Sequence, residues 1–364
     1  ADNIARFLFA LRSAQVSNNL PDHNFYQTLP KLGINLLSPQ NPNHPPIGDT
    51  GPGRPYPGTM LFLAGNGDTN AAWYLQKAEF LNKNFFAEPY LFVALKPENI
   101  NPVEPNWPAS SVFQDVGYGV SRNGFTASSP YLVFKSGPPT KLVGHNHWDN
   151  NSLVINYLGQ WIASDPGYRD YYNEAKNQFS SGTVGHNSIL IDGKGQDYND
   201  RSALAHLAGG RITEFFSAPG YDFLKGQAAL TYDSSFSLSK FDRSVIFVKP
   251  NFFVVYDDLA SSKNHQYSYL LHPYYGGTAE AKPNGALLKK SGVQLRAWVF
   301  SPSGLTQEIK SYPGAENYGP YLEAKTNSAA NAKIISVLYP QAAGATEPEF
   351  RSSGVPEDGV VLDT

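Results

Sequence analysis

Three of the eight histidines fall in two short polar segments, His145 and His147 in GHNHWDNNS and His186 in VGHNSILID. Between them, SDPGYRDYY sets Asp165 at a tight Pro-Gly turn. Side chains two apart on a strand share a face, so a strand through 145–147 would present both imidazoles together and turn Asn146 away. A neighbouring strand would add His186 and a carboxylate. Two imidazoles and one carboxylate make a zinc ligand set with room for water or a fourth protein ligand. The same groups also make a hydrogen-bonded polar cluster at a sheet edge, and their spacing alone does not choose between the two.

Tyr168, Tyr171 and Tyr172 crowd the same stretch. A free phenol titrates near ~10, but a cationic neighbour can hold a tyrosinate that acts first as base and then as acid; ordinary core packing is the bland alternative for each ring. Asn146, Asn150, Asn151 and Asn187 add neutral donors beside the imidazoles, which is what an anionic carboxylate substrate requires. Arg122, Arg201 and Arg243 can pair acidic sugar groups or internal carboxylates. His206, His265 and His272 have no convergent motif. Serine hydrolysis lacks a nucleophile elbow, GDTGPGRPYPG lacks the Gly-Lys-Ser/Thr end of a phosphate loop, and glycoside hydrolysis would want two flanking carboxylates where only Asp149 and Asp165 offer themselves.

These residues need a rigid frame, and the composition favours a β one. The 364 residues carry a net charge of -3, are 16% charged and 13% aromatic, and contain no cysteine. That balance makes nucleic acid a poor partner and excludes disulfides, thiolate nucleophiles and Cys-bound zinc. No apolar run approaches the roughly 20 residues of a bilayer span, so no membrane insertion is expected. The expected setting is the periplasm or outside a bacterial cell.

Residues 1–95 read as helical. ADNIARFLFALRSAQ, YQTLPKLGINLL and TNAAWYLQKAEFLNKNFF have helical apolar spacing, the last with Thr69 and Asn70 as candidate caps, while the Pro- and Gly-dense stretch between the second and third forbids a helix. A Pro-rich linker covers 96–110, and from 111 to 364 the period turns to two. Runs such as YLVFK, SLVINYL, FFVVYD and VQLRAWVF, separated by turn residues, predict packed antiparallel sheets with almost no helix.

The run from Val116 to Pro273 resembles the C-terminal β domain of the heparinase II/III-like polysaccharide lyases. The resemblance rests on VGYGVSRNGF, YLVFKSG, GHNHWDNNSLVINYLGQWIASDPGYRDYY, GTVGHNSILIDGKGQ and FDRSVIFVKPNFFVVYDDL in that order, with PPIGDTGPG similar to the segment after a late helix pair of the family's α/α toroid. It implies an α+β chain, the C-terminal part of an α/α toroid followed by a large antiparallel β-sandwich. The implied activity is β-elimination on a uronic-acid polysaccharide: a base takes the C5 proton, neutral or cationic groups hold the carboxylate, and an acid protonates the departing O4, leaving a 4,5-unsaturated product.

By the same resemblance His145 is the catalytic or substrate-neutralising histidine, and a tyrosine among 168, 171 and 172 approaches from the β side. His147, Asp165 and His186 match the ligands of a zinc that holds sheet and loops in place. Asn146, Asn150, Asn187, Arg122 and Arg201 are the substrate-binding candidates. The family's long helical toroid, which supplies the principal tyrosine and a carboxylate-binding Asn or His, is represented here by about three helices. The chain is then expected to be a C-terminal fragment, a processed half whose upstream toroid fragment stays associated, or a shortened relative. Absence of a basic stripe points toward a less charged uronate polymer than heparin. A carbohydrate-binding or structural β module without the full acid/base set is the alternative.

Overall fold

The computed structural model describes residues 14, 24–38, 43–50, 57–78, 101–125, 130–138, 145–197 and 209–349. The expected helix over 1–15, the continuation of the third helix beyond 78, Arg201 and His206 lie outside them. Among the described residues three helices precede the sheets: α1 (Asn24–Leu36), α2 (Pro57–Gly65) and α3 (Thr69–Lys77). α1 keeps its shape despite Pro30, which forfeits one ladder bond, because Leu29, Ile34 and Leu36 are buried. α2, absent from the sequence expectation, starts on a proline whose missing N–H costs nothing in the first turn. The cap of α3 is Asp68 rather than Thr69 or Asn70; its carboxylate accepts the N–H groups of Asn70 and Ala71 at 3.0 and 2.9 Å.

Ile34, Met60, Phe62, Trp73, Tyr74 and Leu75 of these helices pack in one apolar cluster with Phe125, Trp107 and Ala109 from the segments beside the first sheet. Arg122 fastens the same joint. It is 1% exposed and donates to the carbonyls of Asn35 and Leu37 at 2.9 Å each, capping the C-terminal turn of α1.

The remainder is antiparallel sheet. The first sheet runs in sequence order through β1 (Ser111–Phe113), β2 (Tyr118–Arg122), β3 (Tyr131–Lys135), β4 (Ser152–Tyr157) and β5 (Gln160–Ala163). A small sheet combines β6 (Ile189–Ile191), β11 (Tyr267–Leu271), β15 (Leu305–Lys310) and β16 (Tyr321–Thr326) in the order β15-β16-β11-β6. The large sheet is built from β7 (Arg211–Ser217), β8 (Tyr221–Gln227), β9 (Leu238–Val248), β10 (Phe252–His265), β12 (Thr278–Lys282), β13 (Gly285–Lys290), β14 (Val293–Phe300) and β17 (Ala329–Ala342). Its order is β12-β13-β14-β17-β10-β9-β8-β7.

β9 alternates buried and part-exposed residues from Phe241 to Val248, as a strand with one core face must. Its inward Phe241, Val245 and Phe247 meet Leu132 and Phe134 of the first sheet and Tyr269 and Leu271 of the small one in a single core. Among the described residues one α-helix, α4 (Glu174–Ser181), interrupts the β region, beside a few single 3-10 turns. It was not expected there, and Asn173 caps it through Lys176 N–H.

Arg243 of β9 is fully buried and grips Asp257 of β10 with two bonds of 2.6 and 2.8 Å. Its remaining nitrogen donates to the carbonyls of Asn151 and Asn187 at 2.7 and 2.5 Å. The large sheet thereby fixes both segments that carry the histidines. Of the two roles open to Arg243, the structure assigns the internal carboxylate pair.

Candidate active site and metal centre

Four loops meet at the site. Residues 145–151 precede β4, 165–171 follow β5, 186–188 precede β6, and 43–50 arrive from the helical part. The 145–151 loop is pinned to α4 and the turn after it, where Trp148 N–H donates to Ser181 O at 2.9 Å and Thr183 Oγ1 donates to Trp148 O at 2.7 Å. The 43–50 loop is clamped between the others. A Cβ at Gly48 would stand 2.8 Å from the His145 carbonyl oxygen and one at Gly167 2.9 Å from that of Thr50, and both glycines have positive φ, +69 and +77.

His145 and His147 do not lie on a strand. They sit in the loop, and His145 takes a φ of 65. The His145 side chain is 79% exposed while that of His147 is 1% exposed, so strand alternation does not unite them. Asp49 does. Its Oδ2 accepts from His145 Nδ1 at 2.9 Å and from the Tyr171 hydroxyl, and its Oδ1 accepts from His147 Nε2 at 3.1 Å and from Arg169 N–H at 3.0 Å.

Four donors fill the carboxylate. Burial alone would raise the Asp49 pKa, but the bonds from His147, Tyr171 and His145 outweigh it and hold the group well below the usual carboxylate range. The bond to Asp49, with some burial, pushes the Tyr171 phenol up to about 12. Tyr171 therefore keeps its proton and is arranged as a donor rather than as a tyrosinate. His145 spends its Nδ1 proton on Asp49, which leaves Nε2 with a free lone pair on the exposed side. Tyr168 packs 5.9 Å from the Tyr171 ring, and Arg169 lies 5.2 Å over it. Tyr168 and Tyr172 are exposed.

Beneath this pair, ligand atoms of His147, Asp165 and His186 lie within 4.8 Å of one another, all three residues buried. The hydrogen bonds around them fix the tautomers. His147 gives its Nε2 proton to Asp49, and His186 gives its Nδ1 proton to Gly182 O at 2.7 Å. In the neutral tautomers His147 Nδ1 and His186 Nε2 are both unprotonated and 3.2 Å apart, with Asp165 Oδ2 3.2 Å from the latter. Three electron pairs then converge on a space that suits a cation, either a proton on His186 Nε2 or a metal ion. Burial opposes charge on His186, yet Asp165 and Asp149 more than offset it and its pKa is raised. The donor set, the bonds that orient each ring on Asp49 and Gly182, and the burial fit a zinc ion.

The other expected contacts divide. Asn146 stands next to His145 with a buried side-chain amide nitrogen that has no partner among the described residues. Asn150, Asn187 and Arg122 are at most 1% exposed and do not reach the surface. Asn150 is spent on Gln196 and on Gly137 N–H, and Asn187 on the carbonyls of Leu153 and Ser164 and the N–H of His272. These three are internal braces rather than sugar contacts, because their polar atoms satisfy the chain's own backbone. Asp149 is buried against Lys135. Asp49 is the residue that sequence reasoning missed; its only signal was a carboxylate between turn residues in PPIGDTGPG.

The family model described as heparinase II/III-like, C-terminal, matches residues 106–347. A heparin-sulfate lyase of Bacteroides stercoris is 22% identical over 273 residues, covering 70% of this chain and 38% of its own length. Among solved structures, a heparinase III superposes over 95% of this chain and 53% of its own, with a TM-score of 0.63 and 18% identity. Heparan sulfate lyase HepC from Pedobacter heparinus covers 88% of this chain and 47% of its own, with a TM-score of 0.60 and 17% identity. This chain thus spans about half the length of these solved relatives and less of the curated one. With the match extending over most of the chain and the layered antiparallel fold shared, this chain belongs to the heparinase II/III-like C-terminal family.

Proposed function

We propose that this chain is the β-rich part of a polysaccharide lyase that cleaves a uronate-containing polysaccharide by β-elimination. The observation that carries the proposal is the shared carboxylate: His145 and Tyr171 are both anchored on Asp49 Oδ2, one with a free ring nitrogen and the other with a retained proton. In this reading His145 Nε2 takes the C5 proton, the C4–O4 bond breaks as the C4–C5 double bond forms, and the Tyr171 hydroxyl turns from Asp49 to give its proton to O4. Asn146 offers its unpartnered amide to the uronate carboxylate. Tyr168 and Tyr172 border the approach.

His147, Asp165 and His186 would hold zinc, which would supply structural cohesion to the loops under the site. The partners in this reading are an acidic poly- or oligosaccharide and an upstream toroid-like helical portion, which would add further carboxylate-binding and acid/base groups. The setting is periplasmic or secreted. The test is ultraviolet absorbance of 4,5-unsaturated uronate during incubation with alginate, hyaluronan, chondroitin and heparan sulfate, for the chain alone and together with that upstream portion. Absorbance that needs Asp49 and His145 supports the proposal; sugar retention without absorbance in both settings supports the binding-module alternative.

A further inference from the structure

A second cavity, of about 600 Å³, opens between α1, the edge strand β1 of the first sheet and the edge strand β7 of the large sheet. Its volume falls in the range of small-ligand sites, roughly 300–1,000 Å³. Phe113, Phe215 and Phe216 give it aromatic walls, together with Trp107. Phe216 is 52% exposed, and the neighbouring exposed Tyr221 lies 5.6 Å from it, ring to ring. Aromatic surface left open in this way marks a contact site more often than chance.

The polar groups around these rings narrow the ligand. Lys31 lines the cavity from an exposed position, its ammonium 5.9 Å from the Trp107 ring centre. Asn35 is 1% exposed, and its amide nitrogen is taken by Lys31 O at 2.8 Å, while its Oδ1 has no partner among the described residues. Trp107 Nε1 is likewise buried and without a partner among them. Asp222 lies behind the wall, held by Ser110 and Ser217 and neutralised by Lys249 at 2.6 Å, so it does not repel an anion. The cavity thus offers a cation and flat apolar faces, with the unpartnered Asn35 Oδ1 and Trp107 Nε1 buried behind its wall.

We infer that this cavity is a second saccharide site, which takes one or two units of an acidic oligosaccharide by stacking on Phe216 and Trp107, with a carboxylate or sulfate at Lys31. It rests on the proposed function only for the ligand class, since no residue is shared with the Asp49 site. Its role is to anchor the polymer away from the place of cleavage.

The test is the indole N–H resonance of Trp107 in the full chain, assigned by its loss in Trp107→Phe. The chain is titrated with size-defined oligosaccharides of hyaluronan, alginate and heparan sulfate, and with neutral dextran. The inference expects a shift with at least one acidic sugar, little with dextran, and roughly tenfold weaker binding in Lys31→Gln and Phe216→Ala, a tenfold change being 1.4 kcal/mol. A resonance that stays in place with every acidic sugar, or that moves as far with dextran, overturns it. Following the absorbance of unsaturated product from the unsubstituted chain, alone and with its upstream portion, keeps the two ideas apart. A Trp107 shift without any unsaturated product would sink the lyase reading and leave this site standing, whereas cleavage with an unmoved Trp107 would sink this site alone.

Discussion

His147 Nδ1 and His186 Nε2 face each other at 3.2 Å with their other nitrogens committed to Asp49 and Gly182. Two lone pairs held in this way beside Asp165 repel unless a cation lies between them, and burial keeps water from screening them. The expected outcome is close to one zinc per chain in protein purified without chelator. Chelation should lower the melting temperature, because a ligand bound only by the folded state adds to its stability. Metal analysis with thermal melting checks this; a metal-free chain whose melting ignores added zinc would return the cluster to a proton-bridged pair.

Asp49→Asn keeps the size of the side chain and removes the charge that His145 and Tyr171 share. The amide nitrogen also presents a donor where a donor stood opposite, so the His145 ring loses its fixed tautomer and the Tyr171 pKa falls from about 12 toward its ordinary value. Cleavage in the assembled lyase should drop by about 10²-fold or more, in the range of general acid/base contributions, with circular dichroism unchanged. A loss confined to KM would show that Asp49 serves binding rather than proton transfer.

The strands were legible because their period and turn residues are local properties. YLVFK and VQLRAWVF are strands over the residues read, Tyr131–Lys135 and Val293–Phe300. The metal candidates were legible for a similar reason, since their residue types stand in short polar segments. Asp49 was not, because it meets His145 across 96 positions of sequence and only the folded loops bring them together. Arg122, Asn150 and Asn187 show the converse limit. A sequence displays a polar side chain without showing whether sugar or its own backbone satisfies it, and here backbone carbonyls or amides engage all three.

The buried pair of Arg243 and Asp257 supports the site from below, since the same guanidinium holds the carbonyls of Asn151 and Asn187. Asp257→Asn leaves a buried guanidinium without its counter-charge, a change that typically costs about 3–5 kcal/mol. Urea unfolding should show that loss, and zinc affinity should fall with it as the histidine loops loosen. Unchanged unfolding would mean that the two carbonyls suffice for Arg243.

The last prediction concerns acid. Burial holds the imidazoles of His44, beside Tyr74 in the helical part, and of His272, in the β part, down at about 3 from 6.5. Both stay neutral in the folded chain while the unfolded chain takes up a proton on each below pH 6.5. Their stabilising contribution is therefore complete above that pH and is lost as pH falls from 6.5 toward 3, at about 1 kcal/mol per pH unit for each group. His186 has the opposite sign in the metal-free chain, because its raised pKa favours the folded state as protons are added. That gain is complete by about pH 6.5, below which His186 is protonated in both states, so the two losses alone leave a slope of about two protons between pH 6 and 4.5, before the depressed carboxylates such as Asp49 add to the loss at lower pH. His44→Gln should halve that slope in chelator-treated protein, as measured by urea unfolding at a series of pH values. A slope unchanged by the substitution would show that His44 takes up its proton inside the folded chain.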